Sequence, residues 1–255
     1  MTLTIVVILV VVLLLLVIGV NMIQQHKEKI EAERRAEMVR QRAIIEETEE
    51  LLSYATKLPM SKAMLTLLHK RNNDALRAML AVANDTGDTQ RRVDDGENQL
   101  STIEKSYQEP DEASFSFPDS DKLAVAYIQA LKKLRLVLRS EHTRGRVDTT
   151  SYVNEEKRLD RLQLKISVEN SIKRALAAKV LRQFGTARDM LEKAEQMLNN
   201  VPQPDDYTVQ RLHDVVRLSA EILAETRSAT EAEVTKRREK EADDLDVLFQ
   251  PKKKW

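Results

Sequence analysis

Cysteine is absent from this 255-residue chain. Its absence excludes a disulfide framework, thiolate metal sites and a thiol nucleophile. Glycine is scarce too. The five glycines, at positions 19, 87, 96, 145 and 185, are too dispersed for a Walker-type phosphate loop or a dinucleotide-binding turn. The glycine-flanked serine of a hydrolase elbow is also missing. Six prolines and 4% aromatic residues leave few turn and strand formers, which favours helices over sheets. Neither sign of charge is in excess, with 41 basic and 41 acidic residues, so wholesale nucleic-acid binding through net charge is not expected. The four histidines, His26, His69, His142 and His213, include no pair at the three-to-five spacing of a helical metal site. Glu141 and His142 are adjacent, and neighbours on a helix point apart. Carboxylate runs such as Glu46, Glu47, Glu49 and Glu50 read as solvated helix faces, because a bundle carboxylate site would need a Glu-x-x-His motif that is missing. No enzymatic activity, cofactor or metal is expected.

What the chain does have is an almost unbroken apolar run from Leu3 to Ile23, without Lys, Arg, Asp or Glu. At ~1.5 Å per residue that helix reaches about 31 Å, the thickness of a bilayer's hydrocarbon core. A cleaved signal peptide fits less well: no charged residue precedes the run, the run is too long, and no small-residue cleavage site follows. Residues 1–23 are therefore expected to be a single transmembrane anchor. Lys27, Lys29, Arg34, Arg35, Arg40 and Arg42 follow it closely, and basic flanks stay cytoplasmic. The expected location is a cell inner membrane, with a short N-terminus outside and a cytoplasmic C-terminal domain.

The remainder predicts an all-α fold: an antiparallel helical bundle with a short flexible C-terminal tail. Residues 24–58 read as a helical stalk. Ile23, Ile30, Ile44, Leu51 and Leu58 fall on a seven-residue spacing that Glu37 interrupts, which offers a weak homo-oligomer pairing toward the stalk's end. Pro59 is expected to end that helix and Ser61 to cap the next. Residues 59–107 read as a helical hairpin region, with Met64, Leu65, Leu68, Ala75 and Leu76 on one face. Residues 108–121, rich in acids, serine and proline, read as a linker. Residues 122–228 read as a helical bundle. Its first helix is expected to bury Leu123, Tyr127, Ala130, Leu131, Leu134 and Leu138. A long helix then runs from Thr149 to Phe184 with a turn at Gly185. The last helix is expected to bury Val209, Leu212, Val216, Ala220 and Leu223. Residues 229–255 read as a charged helix and a tail peptide.

Within that bundle, Phe184, Ala187, Leu191 and Ala194 set out a mix of aromatic, small and large apolar positions. The segment from Phe184 to Leu198 resembles the second half of a tetratricopeptide repeat, which implies close packing of two helices. No second copy appears at a 34-residue period, and an ordinary helical hairpin accounts for the same pattern.

Two surfaces stand out for binding. Lys132, Arg135 and Arg139 are spaced three and four apart, hence share a helix face, and belong to a cluster with Lys133, Arg144 and Arg146. Such a face is either solvated or placed against anionic headgroups or an acidic protein surface. The tail, from Asp243 to Trp255, interleaves acids with Leu245, Val247, Leu248 and Phe249, then ends in three lysines and Trp255. Leu245, Leu248, Phe249 and Trp255 are the candidate partner-binding residues, since aromatic and aliphatic anchors dominate peptide recognition. The expected function is a non-catalytic, single-pass membrane-anchored scaffold or adaptor for protein partners at the cytoplasmic face. The alternatives are a regulatory or signalling subunit of a membrane complex, and a periplasm-facing helical envelope protein.

Overall fold

The computed structural model describes the backbone of residues 2–82, 87–110 and 115–249, and the side chains of those from 19 to 240. Seven helices and no strand are found among these residues. The chain divides between Phe115 and Ser116, inside the acidic segment, into two compact units. No helix among the described residues is long and apolar enough to cross a membrane. The side chains of residues 1–18, which hold most of the expected anchor, lie outside the described residues.

The first unit contains α1 (Thr2–Ser53), α2 (Lys62–Val82) and α3 (Gly87–Ser106). From Val20 to Ala36 every residue of α1 is exposed, and burial begins at Ile45 and repeats at Thr48 and Leu51. A spacing of three marks the one face that meets α2 and α3. The seven-residue series therefore divides: Ile23 and Ile30 lie exposed, whereas Leu51 and Leu58 are sealed in this unit's own core. The pairing expected toward the stalk's end is thus not available there. Helix α1 also stops before Pro59. It unwinds through tight turns in which the Tyr54 amide donates to the Leu51 carbonyl (3.1 Å) and the Leu58 amide to the Tyr54 carbonyl (2.8 Å). Ser61 caps α2, its hydroxyl accepting from the Met64 amide at 3.0 Å. Ion pairs join all three helices: Arg71 to Glu47 (2.6 Å), Arg92 to Glu49 (2.6 Å), and Arg77 to Glu97. At Gly96 of α3 a Cβ would lie 2.0 Å from Oδ1 of Asn73 on α2, so only glycine admits this approach.

The second unit contains α4 (Asp121–Thr143), α5 (Thr149–Val180), α6 (Phe184–Asn199) and α7 (Asp206–Phe249), each packed on the next in the chain. Side-chain oxygens cap three of them: Ser120 accepts from the Leu123 amide, Asp148 from Ser151 and Asp205 from Thr208. The core between α5, α6 and α7 joins Val168, Ile172, Ala175, Ala187, Leu191, Ala194, Leu198, Val215 and Ile222. Its alanines let the helix backbones approach closely.

Four expectations need correction. In α4 the buried stripe starts at Ala124, and Leu123 is exposed. In α7 the buried positions are Thr208, Val215 and Ile222, one residue out of step with Val209, Val216 and Leu223, which are 58%, 50% and 43% exposed. The α5–α6 turn falls at Leu181–Gln183 rather than at Gly185. There Arg182 adopts φ 57°, the Gln183 amide bonds to the Ala178 carbonyl and the Arg182 amide to the Lys179 carbonyl, both at 2.9 Å. This is the Schellman turn, which satisfies the last carbonyls of the helix. The tail does not begin at Asp243 either, since the helical backbone of α7 continues through Phe249.

Candidate anion groove beside α5

The second unit carries a groove of about 600 Å³ between α5 and the α6–α7 connection. Lys157, Arg161 and Lys165 recur every four residues on α5, so each successive base stands about one 5.4 Å turn further along one face. Leu164, Val201 and Pro202 supply an apolar floor. Pro202 and Pro204 end α6 and hold the connection, while Asp205 starts α7 on the far wall.

The two carboxylates in the groove are already engaged. Asp160 accepts the Arg135 guanidinium from α4. Asp205 accepts the Thr208 amide at 2.8 Å and the Thr208 hydroxyl at 2.6 Å. Burial pushes the Asp205 carboxyl up, but the two Thr208 bonds and the nearby Lys165 outweigh this and hold it below the usual aspartate value. Lys157 and Arg161 have no ion-pair partner among the described residues and are exposed to incoming solute.

Tyr207 closes one end. Its ring lies under the Lys165 ammonium at 5.3 Å and beside the Arg211 guanidinium at 6.0 Å, a cation–π arrangement. Its hydroxyl donates to Glu169 Oε1 at 3.1 Å, and Arg211 Nε holds the same oxygen at 2.7 Å. Burial, followed by the Glu169 charge, raises the Tyr207 hydroxyl well above 10, so at neutral pH it stays a neutral donor. Further along, Arg211 and Arg217 pair with Asp214 within α7, and Lys179 ties α5 to α7 through Glu225 (2.7 Å) and Glu221 (3.8 Å). The groove is therefore a rigid, net-positive concavity with an apolar base, suited to binding organic anions.

The basic face expected on α4 is divided by the structure. Lys132 and Arg139 are exposed, but Arg135 turns toward α5 and is spent on Asp160. Arg144 and Arg146 of the neighbouring cluster both clamp the buried Glu141 at 3.0 Å. His142 stacks on Tyr152 with ring centroids 4.4 Å apart, and its Nδ1 lies 2.9 Å from the Val147 carbonyl. These contacts lock the α4–α5 turn. Burial pushes His69 below its ordinary value. Leu245, Leu248 and Phe249 lie on the helical backbone of α7, with side chains outside the described residues, and Trp255 lies outside them altogether. No group of His, Asp or Glu suited to a metal ion is present among the described residues.

Lys157, Arg161 and Lys165 were absent from the candidates drawn from sequence. Their four-residue spacing is visible there, but the opposite wall comes from a connection some forty residues later. Nor do helix lengths favour a repeat array. Helix α5 alone has 32 residues, against ~34 for a whole tetratricopeptide unit, and the segment resembling one is the single helix α6 of 16 residues. No family model matches the chain, and neither the curated proteins nor the solved structures compared with it include a match.

Proposed function

We propose that the chain is a non-catalytic scaffold, held by a single N-terminal span in a cell inner membrane, that positions protein partners at the cytoplasmic face. The observation carrying this reading is the continuity of α1. One helix bears the apolar run from Leu3 to Ile23 at its start and the core residues Ile45, Thr48 and Leu51 at its end. The first unit thus hangs on its anchor without a flexible joint. The exposed stretch between Ile23 and Ile45 is about 33 Å long at 1.5 Å per residue. That exceeds the ~8 Å reach of headgroup charge at physiological salt, so the packed unit stands clear of the lipid surface. Tethering raises the effective concentration of every binding surface for molecules confined to the same membrane. Those surfaces are Lys132 and Arg139 on α4 and Leu245, Leu248, Phe249 and Trp255 at the tail.

The test is fractionation with alkaline carbonate washing, together with a compartment-specific reporter fused after Trp255. The intact chain is expected in the membrane pellet, a variant lacking residues 2–23 in the supernatant, and the reporter active only in the cytoplasm. Release of the intact chain by the wash, or a reporter active only outside, overturns the reading.

A further inference from the structure

We propose that the α5 groove receives the acidic, apolar end of α7 from a second copy of this chain. The groove asks for an occupant that alternates carboxylates with aliphatic side chains. Lys157 and Arg161 are two accessible cations one helical turn apart, above a floor of Leu164, Val201 and Pro202. The segment Asp243, Asp244, Leu245, Asp246, Val247, Leu248, Phe249 has that composition without a base. Two other base-free acidic stretches are committed within the first unit: in 43–56 Ile45 and Leu51 are buried and Glu47 and Glu49 hold Arg71 and Arg92, and in 93–104 Val93 and Ile103 are buried and Glu97 holds Arg77. In the acidic stretch 108–121, Asp119 and Asp121 are engaged beside the N-terminus of α4. Lys173 holds the Pro118 carbonyl at 3.0 Å and Asp119 at 3.4 Å, and Arg174 holds Asp121 at 3.5 Å.

The occupant must come from another copy. Tyr207, at the groove, and Leu245 lie on one continuous helix, so about 57 Å of α7 separates them at 1.5 Å per residue. Reciprocal docking would set two α7 helices antiparallel, with each segment in the partner's groove, a closed two-fold arrangement. The exposed side of α7 fits this use. Val209, Val216 and Leu223 recur every seven residues at 58%, 50% and 43% exposure, a spacing that seats one helix against another. In that pairing Leu223 lies close to the two-fold axis, where the two α7 helices cross.

The experiment is sedimentation of the full-length chain in detergent micelles, paired with titration of a labelled peptide spanning Glu241 to Phe249. The peptide's receptor is the chain truncated after Ala242. A dimer and saturable peptide binding are expected. K157E together with R161E should weaken both at least tenfold, and both residues are surface-exposed, so circular dichroism should stay unchanged. Adding D243K, D244K and D246K to the charge-reversed chain should restore the dimer. A dimer indifferent to K157E and R161E, a peptide with Asp→Asn replacements that binds equally well, or a groove titrated by phosphatidylglycerol vesicles and not by the peptide would each overturn the proposal. None of these outcomes depends on the anchor. Failure here leaves the tethering reading standing, and failure of the carbonate test leaves this one standing.

Discussion

The two units solve the packing of long helices in opposite ways. In the second, the core of α5, α6 and α7 is aliphatic throughout, and charged groups are kept to a paired ladder along its edge. In the first, polar side chains enter the interior. Arg71 and Asn73 are 9% and 2% exposed, and Arg71 Nε and Nη1 and both polar atoms of the Asn73 amide have no hydrogen-bond partner among the described residues. A buried polar group left unpaired costs about 1–3 kcal/mol, whereas a paired edge charge costs little. Five such atoms fall on Arg71, Asn72 and Asn73 of α2, against Arg135 Nε and Gln163 Oε1 in the second unit. The first unit is therefore expected to be the less stable, and its α2–α3 contact is fixed by shape, an asparagine against a glycine. Hydrogen exchange read unit by unit should show residues 45–107 opening at lower free energy than residues 121–226.

The largest break in that ordering comes from the second unit's core. Leu191→Ala removes a side chain that is 1% exposed, in the helix packed between α5 and α7. Such truncations cost about 2–5 kcal/mol. Exchange protection of α5 to α7 should fall by that amount, while α1 to α3 keep theirs. If both units lose protection together, they unfold as one and do not differ in stability.

Next in size is Gly96→Ala. The added methyl meets the Asn73 amide, which is too buried to swing aside. Overpacking of this kind costs about 1–3 kcal/mol, against a helix-propensity gain near 1 kcal/mol. The variant should therefore destabilise the first unit, and Asn73→Ala added to it should recover the loss. A double-mutant cycle in chemical denaturation checks the coupling. Simple additivity would show that the contact does not set the α2–α3 approach.

Smaller still is the effect of Tyr207→Phe, about 0.5–1.5 kcal/mol at neutral pH, because Glu169 keeps Arg211 as a partner. The sharper signature is in pH. Burial and Glu169 raise the folded Tyr207 hydroxyl above its ordinary 10.0. Above that value the unfolded chain releases this proton while the folded chain keeps it, so stability must fall as pH rises. The second unit should lose stability progressively above pH 10.0, and Tyr207→Phe should flatten that slope.

Much of this fold could be read from spacing alone. The faces of α2 and α6 and the cap at Ser61 follow from local rules that need no knowledge of neighbours. Errors arose where two faces of one helix were nearly equally apolar. In α7, Val209, Val216 and Leu223 match the helical period as well as Val215 and Ile222 do, and only the position of α5 and α6 decides between them. The basic face on α4 failed for a related reason. Nothing local marks Arg135 as the residue that Asp160, twenty-five positions later, will claim. The groove was hidden most thoroughly, since its walls are separated in sequence and its neutralised acids, Asp160 and Asp205, look like any others.

The smallest effects belong to the turns that end α4 and α5. Helices α4 and α5 end in the same hydrogen-bonded turn. After α4 the left-handed position is Gly145 (φ 73°), with the Arg146 amide returning to the Glu141 carbonyl; after α5 it is Arg182 (φ 57°), with the Gln183 amide returning to Ala178. A side chain in that region costs on the order of 1 kcal/mol that glycine does not incur. Against this, glycine leaves the unfolded chain more freedom and gives back part of the gain. Arg182→Gly should thus stabilise the second unit by about 0.5 kcal/mol, whereas Gly145→Ala should destabilise it by about 1 kcal/mol. Opposite signs at the two turns, measured as shifts in the denaturation midpoint at constant slope, would place the cost in the backbone. A loss at both positions would mean that the Arg182 side chain makes a stabilising contact outweighing its strained φ.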